Sequence, residues 1–210
     1  MTIVAERTDA CVWLSGVSWE DYGRLRAIPE SRNVRMTFAN GRLELMSPSK
    51  QHERIAELLA RLIFAWTEER GIAVQSCGTT TFRREDLQRG LEPDKCYYVQ
   101  HEADVRDRDE LDLGVHPPPD VVVEVDVTSP SRDRLPIYAE LSVPEVWLWR
   151  REHLTWLLLG PAGTYQEATA SPALPGFPRD LAERLIIQRR EMDETTLVGR
   201  FRRELRAMDD

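Results

Sequence analysis

The chain has 210 residues, 41% hydrophobic and 30% charged, a balance that excludes a disordered or fibrous chain and predicts a packed core. A formal net charge of −8 counts against a surface that grips nucleic acid all over, while leaving room for a local basic groove. No apolar run approaches the ~20 residues of a membrane span, and Met1 to Arg7 lacks the basic-then-apolar layout of a signal peptide. Cys11, Cys77 and Cys96 are odd in number and have no zinc-type spacing, which points to thiols in a reducing cytoplasm.

In chain order, residues 11–30 read as a short strand and then a helix, with Ser18 as N-cap and Pro29 as the stop. Val34 to Phe38 and Arg42 to Met46 flank Asn40-Gly41, a strong hairpin signal. Ser47-Pro48 then opens the longest helix. Its apolar positions Ile55, Leu58, Leu59, Leu62, Ile63 and Trp66 recur at helical spacing until Gly71. His52 falls on the buried face of its first turn.

Ile72 to Ser76 and Thr79 to Arg83 read as strands about Gly78, and Arg84 to Leu91 as a turn. A strand follows Asp94. Residues 101–116 are polar and acidic and read as an exposed connection ending at Pro117-Pro118-Pro119. The next strand spans Val121 to Val127. Cap-type residues Ser129 to Asp133 precede a short helix from Arg134 to Leu141, where Pro136 fits only the first turn. Glu145 to Trp149 pairs with Leu154 to Leu159, and Thr164 to Ala168 adds a short strand. Leu181 to Arg190 and Thr195 to Leu205 close the chain as helices. The pattern predicts one α/β (α+β) domain over residues 1–210.

Two acidic motifs stand out. Glu92-Pro93-Asp94 heads the run Cys96-Tyr97-Tyr98-Val99, and Asp120-Val-Val-Val-Glu124-Val-Asp126 places carboxylates inside an otherwise apolar strand. Burying an ionised carboxylate is costly unless it is paired or holds a metal. Glu124 and Asp126 are two apart on a strand, so they share a face, and Asp94 can approach that face from a neighbouring strand. Hard cations prefer such oxygen ligands, and a bound cation activates water against a phosphodiester. The plain alternatives are turn chemistry for Pro-Asp, a strand end for Asp126 and a helix-start histidine for His52. Trp147, Trp149 and Trp156 alternate as core residues do, and the Arg200 to Arg206 cluster reads as a solvated helix face.

The segments Gly41-Arg-Leu-Glu-Leu-Met-Ser-Pro-Ser with His52-Glu53, Gly78-Thr-Thr-Thr-Phe-Arg-Arg-Glu, Arg89-Gly-Leu-Glu-Pro-Asp-Lys, Pro118-Pro-Asp-Val-Val-Val-Glu-Val-Asp-Val-Thr-Ser and Asp133-Arg-Leu-Pro-Ile-Tyr-Ala-Glu follow in this order. As a series they resemble the Uma-type family, classed with the restriction endonucleases of the PD-(D/E)XK superfamily. The resemblance implies a restriction-endonuclease-like core: a central mixed β-sheet flanked by helices in αβββαβ order, over about residues 34–160. The N-terminal strand and helix and the C-terminal helices are then additions. It implies Asp94 and Glu124 as the motif acids, Mg²⁺ or Mn²⁺ as cofactor, DNA as substrate and a homodimer as assembly; the shared strand face adds Asp126 as a further candidate metal ligand. Glu44 and His52 match positions kept near the site.

One departure matters. Asp126 stands where the motif has lysine, and Arg134 stands where the family often moves that lysine. The chain has two lysines, Lys50 and Lys95, against 26 arginines. Arginine keeps its proton at ordinary pH, so it can stabilise phosphoryl charge but cannot activate water. This assigns phosphate contact to Arg134 and leaves His52 as candidate base, with Lys95 as a possible substitute that a regular strand turns away from Asp94. The alternative from another class is a catalytically lapsed nuclease-fold module that binds nucleic acid or a protein. A non-nuclease phosphodiesterase acting on small nucleotides is a third.

Overall fold

The computed structural model describes residues 8–28, 34–78, 80–127 and 131–209. In chain order its elements are β1 (Ala10–Ser15), α1 (Trp19–Arg26), β2 (Arg35–Ala39), β3 (Arg42–Ser47), α2 (Lys50–Arg70), β4 (Gln75–Ser76), β5 (Phe82–Arg84), β6 (Arg89–Leu91), β7 (Lys95–Tyr98) and α3 (Glu102–Val105). They continue with β8 (Val121–Asp126), α4 (Leu135–Glu140), β9 (Glu145–Arg150), β10 (His153–Leu159), β11 (Tyr165–Ala168), α5 (Arg179–Ile187) and α6 (Glu194–Asp209). Pro29, Thr79, Ser129 and the leading residues 1–7, each part of an expectation above, lie outside the described residues.

The strands form two sheets. One runs β11-β10-β9-β8-β7-β4 and the other β1-β3-β2-β6-β5. In the six-stranded sheet β4, β7 and β8 are antiparallel neighbours, while β9 joins β8 in parallel after the α4 crossover. The order α2, β4, β7, β8, α4, β9 is therefore the expected αβββαβ core: a mixed sheet flanked by helices. The hairpin β5–β6 is inserted between β4 and β7 and leaves for the second sheet. Residues read as one turn, Arg84 to Leu91, thus end in a strand. Tyr22 explains where that strand goes.

Alternation assigns the faces of β8. Val121, Val123 and Val125 pack with Tyr97 against Leu58, Leu59, Leu62 and Trp66 of α2 and against α5 and α6. Val122 faces the other way with Cys96 and Tyr138. Glu124 and Asp126 share the Val122 face by the same parity. Trp147, Trp149 and Trp156 are core residues, as their spacing predicts. The backbone N–H of Cys77 bonds the carbonyl of Cys96 at 3.1 Å, so two thiols that are distant in sequence sit on adjacent backbone.

Local chemistry fixes the ends of the elements. Asn40 and Gly41 both have positive φ (51° and 74°), the requirement of a tight two-residue hairpin. The resulting register pairs Ala39 with Arg42, Thr37 with Glu44 and Arg35 with Met46. The α2 cap is Ser49, whose hydroxyl accepts from the His52 N–H at 3.2 Å, and not Ser47, which ends β3. Gly71 closes α2 in the left-handed conformation (φ 62°). A single 3₁₀ turn, Ser131–Arg134, leads into α4, placing Pro136 in the first turn where its missing N–H is harmless. On α6, Arg202 and Arg206 pair with Glu68 and Glu69 of α2, so that basic cluster docks the helix.

The second sheet packs its outer face on α1 through Tyr22, Met36, Phe38 and Leu43. Tyr22 stacks on Phe38 with centroids 5.1 Å apart and lies across Gly90 of β6. A Cβ at Gly90 would sit 2.5 Å from the Tyr22 hydroxyl and 2.8 Å from its ring carbons. Because Tyr22 is fully buried, the ring cannot swing clear. Gly90→Ala is expected to destabilise the fold by about 1–3 kcal/mol, as overpacking does. Urea unfolding measures this, and an unchanged midpoint would contradict the packing described.

Candidate active site

The polar face of the β2–β3 hairpin meets the start of β7, the end of β8 and the first turns of α2 and α4. Hairpin register puts Arg35, Thr37, Glu44 and Met46 on that one face. Across from it stand Asp94, just before β7, and Glu124 on β8. Arg134 and Tyr138 are one helical turn apart, so both reach Glu124 from the same side.

The buried groups form two linked networks. In the first, Asp94 is fully buried. One of its oxygens accepts from the Val125 backbone N–H at 2.6 Å and lies 2.9 Å from His52 Nε2. The other contacts the Arg35 guanidinium. Arg35 also donates to Glu53 at 2.6 Å. His52 Nδ1 faces Asp9 at 3.3 Å, and Asp9 in turn accepts from the Ser49 N–H at 2.7 Å. In the second network Arg134 donates to Glu124 at 2.8 Å and to Glu44 at 3.2 Å, and the Tyr138 hydroxyl donates to the other Glu124 oxygen. The Val125 amide links the two, because it belongs to the residue beside Glu124.

Position decides what each candidate can do. Both ring nitrogens of His52 are engaged, and its Nε2 also lies 3.1 Å from an Arg35 nitrogen. Nε2 donates to Asp94 when it carries a proton and accepts from Arg35 when it does not. In both arrangements each ring nitrogen faces a protein group. Lys95 is turned away: it bonds Glu57 on α2 at 3.0 Å, on the opposite face of the sheet, so it does not stand in for the missing lysine. Asp126 is buried on the Glu124 face, at the carboxyl end of the parallel pair β8–β9, where ligands of open α/β sheets bind.

Two acids of the sequence motifs are structural. Glu92 accepts from the Met36 N–H and Thr81 and pairs with Arg26, tying α1 to the hairpin. Asp120 accepts from the N–H groups of Val99 and His101 and caps that turn. Asp9, Arg35 and Tyr138 were not foreseen. Hairpin register from Asn40-Gly41 would have revealed Arg35, since it puts Arg35 two residues from Thr37, the partner of Glu44. Helical spacing from Arg134 would have revealed Tyr138. Asp9 carries no local signal.

Electrostatics follow from burial. Desolvation works to lower the Arg134 proton affinity, but Glu124 and Glu44 outweigh it and hold the guanidinium charged well beyond its usual range. Burial, and then the Glu124 charge, push the Tyr138 phenol far up, so it stays a neutral donor. Burial also works to raise the Asp9 carboxyl, but hydrogen bonds from His52 and the Ser49 N–H prevail and hold it below the usual carboxylate range.

A divalent cation belongs to the chemistry of restriction-endonuclease-like folds, and the donor set can be tested for one. Asp9, Glu44, Asp94 and Glu124 are buried carboxylates gathered here, and among the described residues Arg35, Arg134 and His52 face them. That gathering of hard oxygen donors fits a hard cation. In the described conformation the arginines occupy those oxygens, and among the described residues no three His, Cys, Asp or Glu side chains gather as a metal cage.

Comparison places the chain in a family. Residues 19–185 match the Uma2 family, described as "Putative restriction endonuclease". The chain belongs to that family. Among solved structures, it resembles one from Anabaena variabilis ATCC 29413, titled "a putative nuclease belonging to DUF820". The two are 12% identical with a TM-score of 0.51, over 72% of this chain and 83% of that one, a likeness of fold. No curated protein matches. Among the described residues no helix is long and apolar enough to cross a membrane.

Two outcomes follow from the networks. Arg134→Met should cost about 3–5 kcal/mol, because it removes the guanidinium that the buried Glu44 and Glu124 share. Chemical denaturation reads this, and a loss under 1 kcal/mol would contradict it. The depressed Asp9 carboxyl adds stability that is complete above its unfolded value of ~3.9 and is lost as pH falls below it. The stability gap between wild type and Asp9→Asn should therefore narrow on acidification from pH 6 to pH ~3; a gap that widened would reverse the sign.

Proposed function

We propose that this protein is a metal-dependent endonuclease that hydrolyses phosphodiester bonds of DNA. The observation that carries the reading is the gathering of buried carboxylates around the carboxyl end of β8, in a chain where a nuclease-family sequence and an αβββαβ core coincide. Asp94 and Glu124, joined by Asp126, would hold Mg²⁺ or Mn²⁺. Such an ion supplies charge neutralisation at the phosphate and a more acidic water. The protein's own groups do the rest. Arg134 gives the phosphoryl oxygens a fixed positive charge, Tyr138 and Glu44 hold Arg134 and Glu124 in register, and His52 positions Asp94. Lys95 has no part in this scheme. We take the chain as one domain acting as a homodimer on cytoplasmic DNA.

A second reading has its own observation. Asp94 and Glu124 each already face a guanidinium, and no lysine lies beside them. This favours a lapsed nuclease fold in which arginines have replaced the cation. One assay separates the two. Supercoiled plasmid is incubated with Mg²⁺ or Mn²⁺ and wild-type protein or Glu124→Gln, an isosteric change that leaves Arg134 in place. The nuclease reading expects nicking by wild type and a loss of about 100-fold or more in the variant. Equal nicking by both would mean a contaminant, and no nicking by wild type would favour the lapsed module.

A further inference from the structure

Beside Arg134 the protein has more room than the carboxylate networks use. A cavity of about 330 Å³ opens over Glu44 and Arg134, with Trp13, Arg42, Arg89 and Pro136 in its walls. Ligand pockets run from roughly 300 to 1,000 Å³, so this one suits a single small unit and not a duplex segment.

Trp13 is the unusual wall residue. It belongs to β1, an edge strand, directly opposite Glu44 on β3, so it shares the face that carries the site. Its indole is 47% exposed, whereas Trp147, Trp149 and Trp156 are in the core. An exposed aromatic on a sheet edge invites aggregation; lining a polar cleft gives it a use. The Arg42 guanidinium lies 5.1 Å from the Trp13 ring centroid and, among the described residues, makes no ion pair. Arg89, by contrast, is committed to Glu140. The cleft thus offers an aromatic surface between the Arg42 guanidinium and the buried Arg134.

We propose that this cavity is a nucleotide subsite in which an unpaired base stacks on Trp13 and its phosphate lies at Arg42 and Arg134. The proposal rests on the nuclease reading and adds a substrate class: nucleic acid that is single-stranded, or locally unpaired, where it enters the site. A base within a duplex has both faces covered and cannot stack on the indole without leaving the helix.

The test reads binding without cutting. Fluorescein-labelled (dT)₁₂ and a duplex of equal length are titrated in EDTA with wild type, Trp13→Ala, Trp13→Phe and Arg42→Ala, following anisotropy. Trp13→Ala should weaken single-strand binding roughly 10-fold, the scale of one lost stack, with duplex binding unchanged and Trp13→Phe within about threefold of wild type. Arg42→Ala should lower the salt dependence of single-strand binding by about one phosphate contact. Wild-type affinity in Trp13→Ala, equal loss for both nucleic acids, or an unchanged salt slope in Arg42→Ala would overturn the proposal. Because EDTA removes the metal, an inactive protein that shows this pattern sinks the nuclease reading alone, and an active one without it sinks the subsite alone.

Discussion

Carboxylates do not enter a protein interior without counter-charge, and the region between the two sheets is arranged around that constraint. Asp94 sits just before β7 and Glu124 on the adjoining β8, each facing a guanidinium from a different element. Arg35 comes from the hairpin sheet and Arg134 from the turn before α4. The pairs therefore fasten the second sheet and the crossover helix to the central sheet. Replacing either acid by an apolar residue would leave its arginine a single carboxylate, Glu53 for Arg35 and Glu44 for Arg134, among the ion pairs described above.

The rest of the architecture serves this meeting point. The Asn40-Gly41 turn sets the register that brings Arg35 and Glu44 to one face. The Ser49 cap starts α2 where His52 reaches Asp94. Pro136 confines α4 to a start from which Arg134 and Tyr138 both reach Glu124. Several buried carboxylates thus gather at one place, and oxygen donors so grouped suit a hard cation. The same arginines that satisfy the acids also cover them, so an incoming ion must compete with Arg35 and Arg134.

Much of the fold was legible in the sequence because it rests on local rules. Helical spacing gave α2, glycine chemistry gave the hairpin and the α2 terminus, and parity put Glu124 and Asp126 on one face. Asp94 contacts His52, and Arg134 contacts both Glu124 and Glu44. The partners of these residues were less legible. Arg35 is near Asp94 only because one sheet packs on another, and Asp9 reaches His52 from far away in sequence. Ser47-Pro48 suggested a cap one turn step too early, because β3 continues through Ser47. The inserted hairpin β5–β6 changes sheets through packing of Tyr22 on Gly90, which no periodicity encodes.

If the buried carboxylates beneath the arginines form a cation site, the metal-free protein should take up a divalent ion through Asp94. Calorimetric titration with Mn²⁺ measures this directly. The account predicts saturable uptake by wild type and at least roughly 10-fold weaker uptake by Asp94→Asn, the scale of losing part of a metal's ligand environment. Failure of wild type to bind the ion, or equal affinity in the variant, would contradict it.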